Sequence, residues 1–242
     1  MPQTCLIIPC YNEAERLDTA AFEDFISSEK DFALCFVDDG STDNTVERIE
    51  TLQLKNPAKV FLLKLKKNSG KAEAVRTGVE QMNLKNQFDY LGYFDADLST
   101  PLRTAKEFVQ ILELKKSTVI IYGSRMPQQD AVISKNYLRH LAGRCFSFVI
   151  NYYFHIDLYD TQCGAKLFRK EIVPPVFEKE FVSRWLFDIE IILRLRKKYS
   201  GVEMINEVPL KQWINKKGSK IKLGDLFELP AEMRKIKSVE RI

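Results

Sequence analysis

The first half of the chain repeats one pattern: a short apolar run, then a stretch whose apolar residues recur every three or four positions. The apolar runs are TCLIIP, FALCFVDD, KVFLLKL, YLGYFDAD and VIIYGSR. Between them lie EAERLDTAAFEDFISS, NTVERIETLQL, KAEAVRTGVEQM and PLRTAKEFVQILELKK, which carry helical periodicity. Buried strands alternating with amphipathic helices predict an α/β fold, a Rossmann-like, mostly parallel central sheet with helices on both faces. Ser41 or Thr42 before DNTVE, and Thr100 followed by Pro101, read as helix starts; Gly70 and Lys71 open a third helix.

After residue 126 the alternation breaks into an aromatic-rich segment, a loop-like DLYDTQCG, a strand-like AKLF and a helical FDIEIILRLRKK. This part reads as an elaboration of the same single domain. Residues 137–156, YLRHLAGRCFSFVINYYFHI, predict a helix with two unlike faces. His140, Arg144, Ser147, Asn151 and His155 form one polar stripe, and Phe146, Phe148, Val149, Ile150, Tyr152, Tyr153 and Phe154 fill the rest. Spanning a bilayer takes about 20 predominantly apolar residues, so this interrupted segment is expected to lie in a membrane interface, with Lys135, Arg139 and Arg144 suited to anionic headgroups. Core packing or a homodimer contact is the competing use of its apolar face.

Composition changes this picture little. A chain of 242 residues, 45% hydrophobic and 29% charged, is an ordinary globular protein. A net charge of +4 favours anionic small molecules or acidic lipid surfaces mildly and is too small to argue for nucleic acid. Cys5, Cys10, Cys35, Cys145 and Cys163 have no zinc or redox spacing, so reduced thiols in a cytoplasmic compartment are expected. Neither a signal peptide nor a spanning helix is visible.

Open α/β sheets bind ligands beyond the carboxyl ends of their strands, so the strand tips carry the chemistry. The first tip, IIPCYNE, presents Pro9, Tyr11 and Glu13; the second, VDDGSTDNT, presents Asp38 and Asp39 before Gly40. The third leads to Gly70 and Lys71 at a helix start, suited to a phosphate but without Walker spacing. In the fourth, FDADLSTP, Asp95 and Asp97 are two apart, and in extended backbone such residues point to one side. Paired carboxylates repel unless a cation lies between them, and a divalent ion held with substrate phosphates resolves this. The fifth ends in Arg125, a guanidinium suited to a phosphate. A cap turn or a solvated acidic loop explains any one tip; five together point to a nucleoside diphosphate and a metal.

These motifs, in this order and spacing over residues 5 to about 125, resemble the family 2 inverting glycosyltransferases of the GT-A fold. NSGKAEAVRTG, GSR, DTQCGAKLF, FDIEI and the late pattern from Trp213 to Lys220 resemble, more narrowly, the dolichyl-phosphate glucosyltransferase and bacterial polyprenyl-phosphate sugar transferase branch. The resemblance implies a nucleotide-sugar half over 1–126 and an acceptor half over 127–242. It places Pro9, Tyr11, Glu13 and Asp39 at the nucleoside, Lys71 and Asp95 beside the sugar and phosphates, Asp95 and Asp97 on Mg²⁺ or Mn²⁺, and Arg125 at the phosphates. Asp160, Gln162, Asp188 and Glu190 become the polar groups around the acceptor, with Asp160 and Asp188 catalytic, and Ser219 and Lys220 hold a lipid phosphate. Where mannosyl relatives carry a glutamine as a further ligand, this chain has Ser99.

The implied activity moves a hexose, glucose by the narrower resemblance, from a UDP-sugar to a polyprenyl phosphate at the cytoplasmic face of a membrane. An anionic phosphate acceptor needs no strong base. Three alternatives are a family 2 transferase acting on a saccharide hydroxyl, which needs a carboxylate base such as Asp188 or Glu190, a nucleotidyltransferase, and a nucleotide-sugar-binding module without catalysis. The nucleotidyltransferase is disfavoured by the missing glycine-rich signature after the first strand, the module by intact Asp95, Asp97 and Arg125.

Overall fold

A computed structural model describes residues 2–128, 131–134, 137–199, 204–214, 216 and 223–241, with backbone alone at 133, 134, 137–142, 223–228 and 239–241. The predicted alternation is present as β1 (Thr4–Cys10), α1 (Thr19–Ser28), β2 (Phe32–Asp38), α2 (Thr45–Lys55), β3 (Val60–Lys64), α3 (Lys71–Leu84), β4 (Tyr90–Phe94), α4 (Thr104–Leu114) and β5 (Ile120–Ser124). The second part adds β6 (Val132–Ser134), α5 (Tyr137–Phe154), β7 (Ala165–Arg169), α6 (Val173–Phe177), α7 (Phe187–Lys198), β8 (Ile205–Pro209), β9 (Gln212–Ile214) and α8 (Leu223–Arg241).

Seven strands make one sheet in the order β3-β2-β1-β4-β7-β5-β8, and β6 pairs with β9 apart from it. Every neighbour in the large sheet is parallel except β7, which runs antiparallel between β4 and β5. Strands from both parts of the chain therefore share the sheet, and the register brings Lys166 of β7 opposite Tyr93 of β4 and Tyr122 of β5.

Side chains alternate between two cores, as a pleated strand with both faces covered requires. Cys5 and Ile7 of β1, with Cys35 and Val37 of β2, face α3, α6 and α7; Leu6 and Ile8, with Leu34 and Phe36, face α1, α2 and α4. Gly78 of α3 lets that helix close on β1: a Cβ there would lie 2.7 Å from Ile7 Cγ2.

Three helix starts differ from the expected ones. Helix α1 begins at Thr19, because Glu13 to Leu17 form a turn in which Glu13 O accepts from Arg16 N and Leu17 N, and Asp18 caps Ala21 N at 3.0 Å. Pro101 opens a turn rather than α4 itself, with Thr104 N donating to Pro101 O at 3.0 Å. Ser41 and Thr42 do not cap α2; they are turned toward the first loop, as described below.

Helix α5 forms as predicted, but Arg144, Ser147 and Asn151 of its polar stripe turn inward, while His155, just past its end, is exposed. Arg144 Nη1 donates to Tyr159 O and Asn151 Nδ2 to Leu158 O, both at 2.6 Å, and Ser147 is buried. The face left outside carries Phe148 and Tyr152, which are 70% and 77% exposed, with Val149 and Tyr153 beside them. Lys237 of α8 lies 5.6 Å from the centre of the Tyr153 ring. Among the described residues no helix is long and apolar enough to cross a membrane, and all five cysteines are free thiols.

Candidate active site

The carboxyl ends of β1 and β2 are laced by side chains onto backbone. Asn12, at φ 49°, donates its backbone N–H to Ser41 Oγ at 2.9 Å and accepts from Thr42 N through Oδ1 at 2.8 Å. Glu13 N donates to Thr45 Oγ1 at 2.8 Å, and Ala14 N to Asp43 Oδ2 at 3.1 Å. The polar residues after β2 thus hold the Tyr11 to Ala14 loop in place, which a bare capping reading of that motif misses. Tyr11 sits half-buried at the loop's head, and Glu13 is buried with Arg16 on its Oε1 at 2.7 Å.

Asp39 accepts from Ser69 N at 2.7 Å and from Gly70 N at 2.8 Å, one bond on each oxygen. It therefore fixes the turn that starts α3, and burial raises its pKa against those two bonds. A carboxylate oxygen has room for two acceptor bonds, so a ligand N–H can still be received. The turn needs glycine at 70, where φ is +96°.

Lys71 meets Asp95 of the fourth tip. Lys71 Nζ lies 2.6 Å from Asp95 Oδ1, the two side chains being 38% and 39% exposed. Burial pulls the Lys71 pKa down, and Asp95, Asp188 and Asp97 outweigh it, so the ammonium is held above its ordinary value. Asp97 Oδ1 caps Ser99 N at 2.9 Å, and Ser99 O accepts from Ile214 N at 2.9 Å, tying β9 to this loop. Asp95 N donates to Gly164 O at 3.0 Å, and any Cβ at Gly164 would overlap the Asp95 carboxylate. Among the described residues no group of three acidic, histidine or cysteine side chains gathers around one point. A hard divalent ion that keeps waters and takes phosphate oxygens needs only one or two carboxylates from the protein, and Asp95 and Asp97 fit that donor set.

At the fifth tip the guanidinium is held by a carboxylate. Arg125 forms a fork on Asp160, Nε to Oδ2 at 2.6 Å and Nη2 to Oδ1 at 2.7 Å, and stands 5.3 Å from the centre of the Trp213 ring. Arg125 N also donates to Asp160 at 3.0 Å, and Glu207 of β8 accepts from Tyr159 N and Asp160 N, both at 2.7 Å. Burial raises the Asp160 pKa and the fork more than offsets this, leaving it below the usual carboxylate value. Gln162 follows on the same loop, and its Nε2, the Thr161 hydroxyl and the Ser124 hydroxyl are buried without a hydrogen-bond partner among the described residues.

Asp188 and Glu190 lie in the interior, away from the role of an exposed base. Asp188 Oδ1 sits 3.0 Å from Lys166 Nζ and accepts from the Tyr93 hydroxyl, while Tyr122 donates to its carbonyl at 2.8 Å. Lys166, fully buried, also donates to Cys163 O at 2.6 Å. Glu190 is fully buried, accepts from Val182 N at 2.9 Å and is paired with Arg194 at 2.6 Å; burial raises its pKa. Ser219 and Lys220 lie outside the described residues. The residues that sequence reasoning passed over are Gly164, Lys166, Glu207 and Arg184. Lys166 alone carries a signal, a charge inside the apolar AKLF run.

A mostly parallel sheet with one antiparallel insertion, whose carboxyl edge gathers the Tyr11 loop, a lysine at a helix start and two neighbouring aspartates, is the frame of a GT-A glycosyltransferase. The sequence model of Glycosyl transferase family 2 matches residues 5–177, and the chain belongs to that family. Its relatives include dolichyl-phosphate beta-glucosyltransferases. That of Saccharomyces cerevisiae is 30% identical over 90% of this chain and 69% of its own length, and that of Dictyostelium discoideum 32% over 79% and 62%. One from Trichomonas vaginalis is 29% identical over 96% of this chain and 70% of its own length. Among solved structures, the UDP complex of glucosyl-3-phosphoglycerate synthase from Mycobacterium tuberculosis superposes over 100% of this chain and 81% of that one, with a TM-score of 0.71 at 14% identity, a likeness of fold. The same enzyme with Mn²⁺, UDP and product gives 0.67 over 98% and 78%.

Proposed function

We propose that this chain transfers glucose from UDP-glucose to a polyprenyl phosphate of the dolichyl type, with inversion, at the cytoplasmic face of a membrane. The observation that carries the reading is the cluster of Lys71, Asp95 and Asp97 at the tip of β4, set beside the laced Tyr11 loop. Tyr11, Glu13, Pro9 and Asp39 receive the nucleoside; Lys71 lies where the diphosphate develops charge. Asp95 and Asp97 would hold Mg²⁺ or Mn²⁺, which supplies Lewis-acid stabilisation of the departing diphosphate. An acceptor phosphate oxygen attacks the anomeric carbon, that carbon's bond to the β-phosphate oxygen breaks, and UDP leaves with the electron pair. An α-configured donor then gives a β-linked product. The acceptor oxygen is already anionic, so no residue has to remove a proton.

This agrees with the interior positions of Asp188 and Glu190, which are paired with Lys166 and Arg194. A saccharide hydroxyl would need one of them as a base, and that disfavours the second reading. Asp188 is assigned a supporting role, and Asp160 orients Arg125. Gln162, whose buried amide nitrogen has no partner among the described residues, is assigned to the acceptor with Ser219 and Lys220. The division into a donor half over 1–126 and an acceptor half over 127–242 follows these assignments. The exposed Phe148, Val149, Tyr152 and Tyr153 on α5 form the membrane-facing surface, and the inward Arg144 links that helix to the loop that carries Asp160.

The test is UDP release from UDP-glucose with Mg²⁺, with and without a short polyprenyl phosphate in anionic vesicles. Release that requires the lipid phosphate, a β-linked product by NMR and flotation of the protein with the vesicles are expected, and Phe148→Glu with Tyr152→Glu should stop flotation while UDP still binds. Equal release with a saccharide and no lipid would sink the acceptor assignment.

A further inference from the structure

Arg184, in the segment between α6 and α7, has no place among the motifs of the sequence, yet its guanidinium reaches the start of α3. A Cβ on Gly70 would lie 2.9 Å from Arg184 Nε and 3.0 Å from Nη2, so the missing side chain at 70 is the space that the guanidinium fills. Its charge acts on Asp39, whose carboxylate holds the same turn through Ser69 N and Gly70 N. The backbone behind it is fixed: Ser183 is fully buried, accepts from Leu186 N at 2.8 Å and donates to Glu232 of α8 at 2.6 Å, while the Trp185 ring packs 5.4 Å from that of Phe146. The guanidinium itself is exposed. Among the described residues its one hydrogen bond is a long one, Nη2 to Asn68 Oδ1 at 3.4 Å, and it makes no ion pair within 4.0 Å of a described carboxylate. Most other arginines of the sheet's carboxyl edge and of α7 are held by short bonds, as Arg125 is on Asp160 and Arg194 on Glu190. A cation on an anchored backbone, beside a buried carboxylate and short of acceptors, is poised to donate to a ligand.

We infer that Arg184 reads the base of the donor nucleotide: it donates to a ring carbonyl of uracil while Asp39 accepts the neighbouring ring N–H. This rests on the donor site proposed above. The pairing follows from the complementarity of the groups, since uracil offers a carbonyl, an N–H and a carbonyl in sequence along one edge. Cytosine replaces one carbonyl by an amino group and the N–H by a bare nitrogen, so it meets a donor with a donor and an acceptor with an acceptor. Arg184 stands at the Asp39 end of the cleft. Lys71, not Arg184, is the cation on Asp95, so the base rather than the diphosphate is the assigned partner.

The experiment is calorimetric titration of UDP, CDP, UMP and pyrophosphate into the full chain with Mn²⁺, for wild type, Arg184→Gln and Arg184→Ala, with melting curves as a control on folding. Wild type is expected to prefer UDP to CDP. Each variant is expected to lose about ten- to a hundredfold in affinity for both UDP and UMP, with pyrophosphate unchanged and the preference over CDP reduced to the share that Asp39 supplies. Arg184→Lys, which keeps the charge and loses the fork, should fall between. UDP affinity within about twofold of wild type in both variants would overturn the inference, as would equal losses for UDP, CDP and pyrophosphate, which would make Arg184 a phosphate ligand. A wild type that binds no uridine nucleotide removes the donor reading itself; a wild type that binds UDP with indifferent variants removes this inference alone.

Discussion

Two lysine–aspartate pairs lie beside the same tyrosine ring, and they differ in access to water. Lys71 and Asp95 meet at 2.6 Å with 38% and 39% of their side chains exposed; Lys166 and Asp188 meet at 3.0 Å with 0% and 5% exposed. Tyr93 is the ring they share, its centroid 5.4 Å from Lys71 Nζ and 5.2 Å from Lys166 Nζ. The residue types are identical, so composition cannot separate their roles. An open pair can exchange its partner for a ligand's phosphate or a metal at modest cost. A sealed pair has already given up its hydration, and removing either member strands a charge in the interior. The open pair is the one the proposed function assigns to binding and chemistry, and the sealed pair lies behind it, with Lys166 on Cys163 O and Gly164 against Asp95.

The largest expected effect is on the open side. Asp97→Asn and Asp95→Asn should each lower turnover by about 10²- to 10³-fold or more, since on the proposed function each removes a negative donor for the ion that would stabilise the leaving group. Stability should stay within roughly 0.5 kcal/mol, because the side chains are partly exposed and the swap keeps their shape. Steady-state rates and urea midpoints on the same preparations check this. Asp95→Asn unfolding the protein would erase the distinction between the pairs.

On the sealed side the order of effects should reverse. Lys166→Met alone should cost about 3–5 kcal/mol of folding stability by leaving Asp188 uncompensated, while Lys166→Met combined with Asp188→Leu should recover most of it. Lys166→Arg, which keeps the charge, should retain more activity than the double variant at comparable stability, because it can still hold the Cys163 carbonyl behind Asp95. A double variant with full turnover would reduce the pair to packing.

The contrast between the pairs also marks what the sequence could reveal. Five strands were legible because short apolar runs are local patterns, and the polar residues that follow them, Tyr11, Glu13, Asp39, Lys71, Asp95 and Asp97, all lie at the same sheet edge. The slot of β7 was not legible: AKLF reads as a strand, but nothing local says that it runs antiparallel between β4 and β5, and that register seals Lys166 against Tyr93 and Tyr122. Helix α5 shows the same limit. Its periodicity defines two faces, and the carbonyls of Leu158 and Tyr159, which draw Asn151 and Arg144 inward, come from a loop whose position only the fold sets. Asp188 and Glu190 read from the sequence as polar groups around the acceptor, Asp188 as a catalytic one, and only long-range burial gives them their lysine and arginine partners.

The smallest expected effect concerns a third pair that lies between the two extremes, Arg125 and Asp160, at 28% and 7% exposure. Arg125 stays charged throughout, so the pair titrates through Asp160, whose pKa is held below its ordinary value because the fork outweighs burial. A carboxyl depressed in the folded state binds its proton more readily when the chain is unfolded. Its stabilising share is therefore complete above the ordinary carboxylate range and is lost as pH falls through the folded value. Asp160→Asn should be less stable than wild type at pH ~7, and the gap should close as pH falls toward ~3, because the wild type loses there what the variant never had. Urea midpoints of both proteins across that range measure the gap directly. A gap that stays constant with pH would mean that the Asp160 side chain acts through the hydrogen bonds it accepts from the backbone N–H groups of Arg125 and Gln162 alone, and the fork would then belong with the sealed pair as packing.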